Sequence, residues 1–318
     1  MAGRPGAAAA LPPLLVLGLL AAAPFLGFGQ GWAMTLLARA MILAMAALSL
    51  WLLVGGAGLV SLGHAAMLGV GAYAVVVLDA AGVTEALVVA PVAMGAAALF
   101  ALLTGAVAVR TAGVNFIMIT LAFGQMAFFT TASLAAYGGD DGYTLYGRSL
   151  LAGTRWLEDR LAFHYLCLFL LAATWLLCRT LLASRFGRVL RAARENPQRT
   201  EALGFAPYPY RLAAYAIAGG IGGLAGMLLA NATEFVAPSY LAWQRSGDLL
   251  FMVILGGLGS PAGAVLGALS IVLLEEWLAD LTPHWRLVFG PLLVLAVLFL
   301  KGGLAGLPAQ LRGLVRRG

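Results

Sequence analysis

Apolar residues run through this chain in long blocks separated by short polar breaks. The blocks cover approximately Leu11–Phe28, Ala33–Val54, Leu59–Leu78, Val83–Val109, Val114–Leu134, Leu161–Leu182, Arg211–Ala230, Leu249–Leu258, Ala262–Leu278 and Leu287–Leu300. Most approach the ~20 residues that a helix needs to cross a hydrocarbon core ~30 Å thick. The Leu249–Leu258 block is too short to span untilted and reads as a half-helix. The pattern predicts an all-α polytopic membrane protein of about eight to ten transmembrane helices, broken or half helices included, forming one transmembrane domain over residues 1–318. Arg4 and Ala21-Ala22-Ala23 around the first block also fit a secretory signal. An uncleaved first helix is the reading adopted, because the rest of the chain is itself membrane.

Composition agrees. Of 318 residues, 62% are hydrophobic and only 10% are charged, against about 45–50% and about 25% in soluble domains. A soluble enzyme, a disordered protein and a nucleic-acid binder are excluded. The net charge is +6, and Lys301, the single lysine, is followed by Gly302. A phosphate-gripping P-loop needs Gly-Lys followed by Ser or Thr, so no such ATP site lies on this chain. Cys167 and Cys178 share one helical block, about 16 Å apart at helical rise, too far for a disulfide. No metal site is expected.

Arginine placement sets an expected topology. Arg179, Arg185, Arg188, Arg191, Arg194, Arg199 and Arg211 crowd one inter-helix segment, which should be cytoplasmic. Counting outward places Arg110 and both termini on the same side. The Asp79–Glu85 link and the Tyr137–Arg160 loop then fall outside. Trp32, Trp156, Trp243, Trp277 and Trp285 stand at block ends, where interfacial anchoring explains them.

Three stretches differ from plain lipid-facing helix. Gly58 to Tyr73 contains Ser61, Gly63 and His64, and Ile254 to Ala268 contains Gly257, Gly259 and Ser260. Gly, Ser and Pro permit close helix approach and broken helices over a covered backbone. Ser61–Ala72 laid on Gly257–Ala268 matches at Leu62/Leu258, Gly63/Gly259, Ala66/Ala262, Gly71/Gly267 and Ala72/Ala268, a candidate internal repeat or shared membrane composition. His64 either contacts substrate or a gating partner, or satisfies a backbone carbonyl. The third stretch puts Asn115, Thr120 and Gln125 in one span, as a hydrated path or as helix–helix glue.

The segment 184–205 is amphipathic. Phe186, Val189, Leu190 and Ala193 share one helical face. Pro197 biases Asn196 out of helical geometry, so Asn196 reads as an N-cap with Pro197 at the first helical position and Gly204 as the stop. A basic helix on anionic lipid accounts for the arginines. A docking surface for another protein accounts also for the second, short, capped helix carrying Glu201.

These residues resemble the LivM-type permease subunit of branched-chain amino-acid ABC importers. The matching features are Ser61-Leu-Gly-His-Ala-Ala with Gly71-Ala-Tyr73, Thr120-Leu-Ala-Phe123, Gly138-Gly-Asp-Asp-Gly142, Phe186-Gly-Arg through Arg191, Arg194-Glu-Asn196 and Glu201-Ala-Leu-Gly204, Gly219–Gly226, and Leu255-Gly-Gly-Leu-Gly-Ser260 with Leu266-Gly-Ala268. Ser246-Gly-Asp248 departs from the Ser, apolar, Glu pattern of relatives. The resemblance implies an ABC-importer permease fold in the bacterial inner membrane, in contact with lipid. It implies a LivH-like second permease, two cytoplasmic ATP-binding subunits carrying ATP and Mg, and a periplasmic substrate-binding protein. It makes Arg191, Arg194, Glu195, Asn196, Pro197, Glu201 and Gly204 the ATPase-coupling residues. It implies no catalytic residue and no cofactor on this chain. A urea or short-amide importer shares this architecture. A stand-alone channel or secondary transporter is the alternative of another class, disfavoured because each Asp and Glu can be placed at a span end or in a loop, with Glu275 and Glu276 near the outer end of one span.

Overall fold

A computed structural model describes residues 11–25, 31–282, 284–299 and 302–306. Twelve α-helices occur among them: α1 (Leu11–Ala22), α2 (Gly31–Trp51), α3 (His64–Ala80), α4 (Ala86–Ala108), α5 (Val114–Ser133), α6 (Arg160–Ala183), α7 (Arg185–Glu195), α8 (Pro197–Ala202), α9 (Pro207–Thr233), α10 (Trp243–Gly256), α11 (Pro261–Leu281) and α12 (Trp285–Phe299). Ten of them, all but α7 and α8, answer to the ten apolar blocks. Six helical segments are long and apolar enough to cross a membrane, α2 being counted with its extension to Ala57. The strands β1 (Tyr143–Thr144) and β2 (Phe235–Val236) make one two-stranded antiparallel ribbon. The protein is an all-α polytopic membrane protein.

Helix α2 is the axis. From Ala40 to Leu53 each residue is buried, and α6, α9, α10 and α11 all pack on it. A helix apolar on every side belongs in such a position. Helix α9 is the second buried element, and α3 and α4 pack along it. Glycine makes the α3–α9 approach possible: a Cβ on Gly226 would overlap the Leu68 carbonyl. Helices α4 and α5 are largely exposed.

The structure departs from the block boundaries at two places. The Leu59–Leu78 block is helical only from His64. Helix α2 ends in a π-helical turn over Leu52–Ala57, Gly58 adopts φ +71°, and 58–63 run non-helically back into the protein. The short Leu249–Leu258 block belongs to a longer helix that starts at Trp243 and stops at Gly256. At 14 residues α10 is about 21 Å long, still short of a span. It turns at Gly257 (φ +105°) and packs against α11 as a helical hairpin.

The two ends of the bundle are distinct. At one end α7, the π turn of α2, Arg110 and the start of α9 meet: Tyr208 donates to the Ala106 carbonyl, and Arg110 lies over the Tyr208 ring. At the other end the 134–159 loop ties down α3, α4 and α9. Tyr143 donates to Asp79 at 3.1 Å, Gly153 N–H to Glu85 at 2.8 Å, and Ser149 N–H to Asn231 at 2.7 Å. Arg110 thus shares an end with the Arg179–Arg211 segment, and Asp79–Glu85 shares the opposite end with the 137–160 loop. That is the pairing the charge pattern predicts. Arg4, Lys301, Arg312, Arg316 and Arg317 lie outside the described residues, as does the rest of the first block beyond Phe25. Trp32, Trp156, Trp243 and Trp277 are exposed near helix ends, and Trp285 is outside the described side chains.

Candidate functional site

Two regions collect the polar chemistry of this apolar chain. The first is the α7–α8 element. Ser184 caps α7 by accepting from Gly187 N–H. The inward face is Phe186, Gly187, Leu190 and Ala193, with Phe186 against the Tyr210 ring at 5.7 Å and Leu190 fully buried. Val189, expected on that face, is half-buried. Asn196 leaves the helix (φ −153°, ψ 100°), accepts from Arg199 N–H at 2.9 Å, and starts α8 with Pro197 in its first turn. Gly204 follows α8 with φ +86°.

Two arginines expected to reach a partner are exposed and also bind their own chain. Arg194 donates to the Gly55 carbonyl in the π turn of α2, and its stem lies against Gly58. Arg191 donates to the Leu182 carbonyl at 3.0 Å, closing the α6–α7 corner. Arg211 of α9 donates to Ala193 at 2.8 Å. The element is therefore tied to α2, α6 and α9, and its outer surface carries Glu195, Asn196, Pro197, Glu201, Leu203 and Phe205. Leu203 is 70% exposed and Phe205 44%.

The second region is the junction where α2, α3, α5 and α10 meet. Ser49 Oγ donates to the Ala46 carbonyl at 2.7 Å and lies 2.6 Å from His64 Nε2. Its only proton is used by Ala46, so Ser49 accepts from His64, which makes Nε2 the protonated nitrogen. His64 therefore pairs with a side chain on α2, not with the backbone carbonyl that a broken helix would offer. The N terminus of α3 is buried, and buried helix ends need partners. Ser246 of α10 supplies one, accepting from Ala65 N–H at 2.9 Å, and Thr120 of α5 holds the segment leading into the helix, accepting from Leu62 N–H at 3.3 Å. Ser61 and Gly63 are buried beside them. Gly257 and Gly259 form the α10–α11 turn, where Trp51 donates to the Leu258 carbonyl at 3.1 Å, and Ser260 caps α11 through Ala262 N–H. The two halves of the candidate repeat each lead into a helix start, α3 at His64 and α11 at Pro261, but the positive-φ glycines near them, Gly58 and Gly257, do not align. Asn115 and Gln125 are not part of this junction. Asn115 is exposed, Gln125 is half-buried, and five residues of helix turn each about 140° away from Thr120.

Sequence reading missed a cavity of about 940 Å³, lined from α2, α3, α5, α9, α10, α11 and α12. Its polar lining includes Arg39, Thr233, Tyr240, Gln244, Arg245, Asp248 and Glu275. It sits at the 134–159 loop end of the bundle, opposite α7–α8. Arg39 lies about 12 Å inside α2 from Gly31, and Glu275 about 9 Å inside α11 from Leu281, at helical rise. Arg39 Nη2 is 3.6 Å from Glu275 Oε2. Glu275 therefore does not stand at the very end of its span, and it has a cation opposite it. A lone Arg inside the second apolar block was the available signal, and it was passed over.

Comparison with known proteins adds the family. The model of the branched-chain amino acid transport system / permease component family matches residues 32–298. The high-affinity branched-chain amino acid transport system permease protein LivM of Salmonella typhimurium is 29% identical over 290 residues, 83% of this chain and 68% of the relative. The probable LivM permease of Methanocaldococcus jannaschii is 31% identical over 157 residues, 45% of this chain and 46% of the relative. The nucleoside ABC transporter permease protein NupC of Lactococcus lactis subsp. cremoris is 37% identical over 90 residues, 28% of each chain. No solved structure matches the chain.

Proposed function

The chain belongs to the branched-chain amino acid transport system permease family and is a permease subunit of an ABC importer, and from that premise we propose how it works and what it carries. The cargo is a branched-chain or closely related amino acid, delivered by a periplasmic binding protein to the loop end of the bundle. A LivH-like second permease completes the membrane core in the bacterial inner membrane. Two ATP-binding subunits hold the ATP and Mg, and one of them docks on α7–α8 at the cytoplasmic end. Both termini of this chain are cytoplasmic.

The observation that carries this reading is the construction of α7–α8. A helix that only rests on lipid needs no ties to the bundle core. This element is bonded to α2 through Arg194, to α6 through Arg191 and to α9 through Arg211. It also presents a short, capped helix with Glu201 and a pair of exposed apolar residues, Leu203 and Phe205. Charged groups beside exposed apolar anchors are what a protein partner recognises. Closure of the ATPases would push on α8, and Asn196-Pro197, Arg191 and Arg194 would pass that push to the π turn of α2. π turns within helices often mark functional positions. From there the Ser49–His64 pair and the junction built on Ser61, Gly63 and Thr120 connect α2 to α3 and α5. The α10–α11 turn of Gly257, Gly259 and Ser260 touches α2 through Trp51.

Glu201→Arg tests the dock. The variant complex in proteoliposomes should hydrolyse ATP without the stimulation that the loaded binding protein gives, and uptake should fall by about tenfold or more, because a charged contact at a dock is replaced by a like-charge clash. Full stimulation and full uptake in that variant would show that the partner docks elsewhere.

A further inference from the structure

The polar residues that the docking reading leaves unused gather in the cavity at the opposite end, and the Arg39–Glu275 pair is the most informative of them. Ionisable side chains inside spans are rare, face a bundle interior or a hydrated cavity, and mark solute pathways. This pair meets that description: Arg39 stands on α2, Glu275 on α11, and both line the cavity of about 940 Å³.

The pair is not built as a structural clamp. An arginine that holds a helix pair together typically grips its carboxylate through two parallel, short hydrogen bonds. Here one nitrogen approaches one oxygen at 3.6 Å, and the side chains keep 32% and 27% of their exposure. No other polar partner of either side chain occurs among the described residues. Two opposite charges thus share one wall of a cavity with donor and acceptor capacity to spare. The same cavity is lined by aliphatic side chains, Leu43, Leu68, Leu249, Met252 and Ile271, and by the polar Gln244, Arg245 and Asp248.

We propose that the Arg39–Glu275 pair, set in this cavity beside aliphatic side chains, is a transit site for a zwitterionic α-amino acid, Arg39 taking the carboxylate and Glu275 the ammonium. This rests on the amino-acid cargo proposed above. A free α-amino acid carries both charges on one carbon, so both can reach the pair once two flexible side chains part, while the amino acid's own chain meets the leucines. The loose internal ion pair is exchanged for two ligand ion pairs, so no charge is left unpaired before, during or after passage. A volume near the upper end of the ~300–1,000 Å³ usual for ligand pockets suits brief residence better than tight retention. The cavity also lies toward the end of the bundle where the binding protein is proposed to unload.

The experiment uses the complete importer in proteoliposomes, with radiolabelled leucine as probe and a double-variant comparison. R39Q and E275Q should each lower leucine uptake by about tenfold or more, since each removes one charged hydrogen-bonding arm. R39Q/E275Q should stay as low as the single variants while the complex still assembles on size exclusion. A merely structural pair predicts the reverse, because removing both partners of an ion pair leaves no orphaned charge and is often neutral. Uptake by R39Q/E275Q within about twofold of wild type, well short of a single charged arm, would overturn the transit site and leave the amino-acid reading standing. A wild-type importer that takes up no leucine would overturn both. Diazirine-bearing leucine on the unaltered importer gives a check that needs no variant. Photolabel on the cavity-lining residues of α2, α3, α10 or α11 supports the site, and photolabel confined to other helices overturns it.

Discussion

Substituting Ser49 gives the sharpest test of the junction between α2 and α3. The Ser49 hydroxyl and the His64 ring, fifteen residues apart in sequence, are wholly buried and 2.6 Å apart. Ser49→Ala would leave both ring nitrogens of His64 without a partner, since Nδ1 already has none among the described residues. An orphaned buried polar group costs about 1–3 kcal/mol. Measured interhelical side-chain bonds in membranes average about 0.6 kcal/mol and reach about 1.7. Full burial and the short distance put this pair toward the upper end, so S49A should cost about 2 kcal/mol. In an H64L background the same change removes a hydroxyl with no ring to satisfy, and its cost should fall to about 0.5 kcal/mol or less. The assay is thermal unfolding in detergent, followed by tryptophan fluorescence, for the four members of the cycle. At roughly 2–4 °C per kcal/mol for a chain somewhat shorter than this one, S49A should lower Tm by several degrees alone and by at most about two degrees beside H64L. Equal shifts in the two backgrounds would mean that the pair contributes no coupling, and the derivation of the junction would be wrong.

Other predictions follow from the packing and the loop. Gly226→Val should collapse the yield of folded protein on fluorescence-detected size exclusion, because the new Cβ overlaps the Leu68 carbonyl, a backbone atom that cannot rotate away. Gly95→Val is the control: it points into open space, so yield should hold. Burial and the neighbouring Asp79 carboxylate, which accepts its hydrogen bond, push the Tyr143 phenol up from its ordinary 10.0. The protonated phenol is the form that ties the loop, so its contribution is complete below that ordinary value and is lost only as pH rises through the raised one. Protease protection of the 134–159 loop should therefore be flat through neutral and mildly alkaline pH and fall above about 10. Asp79→Asn should bring the tyrosinate transition to lower pH. Loss of protection near neutrality would refute the assignment.

Local signals predicted local structure well and long-range pairs poorly. Ten apolar blocks became ten helices because burial in lipid or protein demands internally bonded backbone along each. Asn196, Pro197 and Gly204 were legible as cap, first-turn residue and stop because their chemistry acts within a few residues. The start of α10 was missed because Gln244, Arg245 and Asp248 interrupt the apolar run, and only the cavity beside them shows that a helix can carry them there. Ser49 looked like one small residue among many until the chain turned at Gly58 and laid His64 against it. Arg39 stands out alone in its apolar block, but what it does is legible only once α2 and α11 are neighbours and Glu275 faces it. The arginines of α7 divide the same way. Their number announced one end of the bundle, but only the fold shows Arg191 and Arg194, exposed as they are, reaching back to carbonyls of α6 and the π turn of α2.

The central claim is that this chain works as one subunit of an ATP-driven assembly, gripped through α7–α8. The most direct measurement is purification of the tagged chain from its native membrane in mild detergent, with the accompanying proteins identified by mass spectrometry. The account predicts a second apolar permease and two copies' worth of P-loop ATPase, with crosslinks from the ATPase falling on residues 195–205. Recovery of this chain alone, after crosslinking as well, would contradict it.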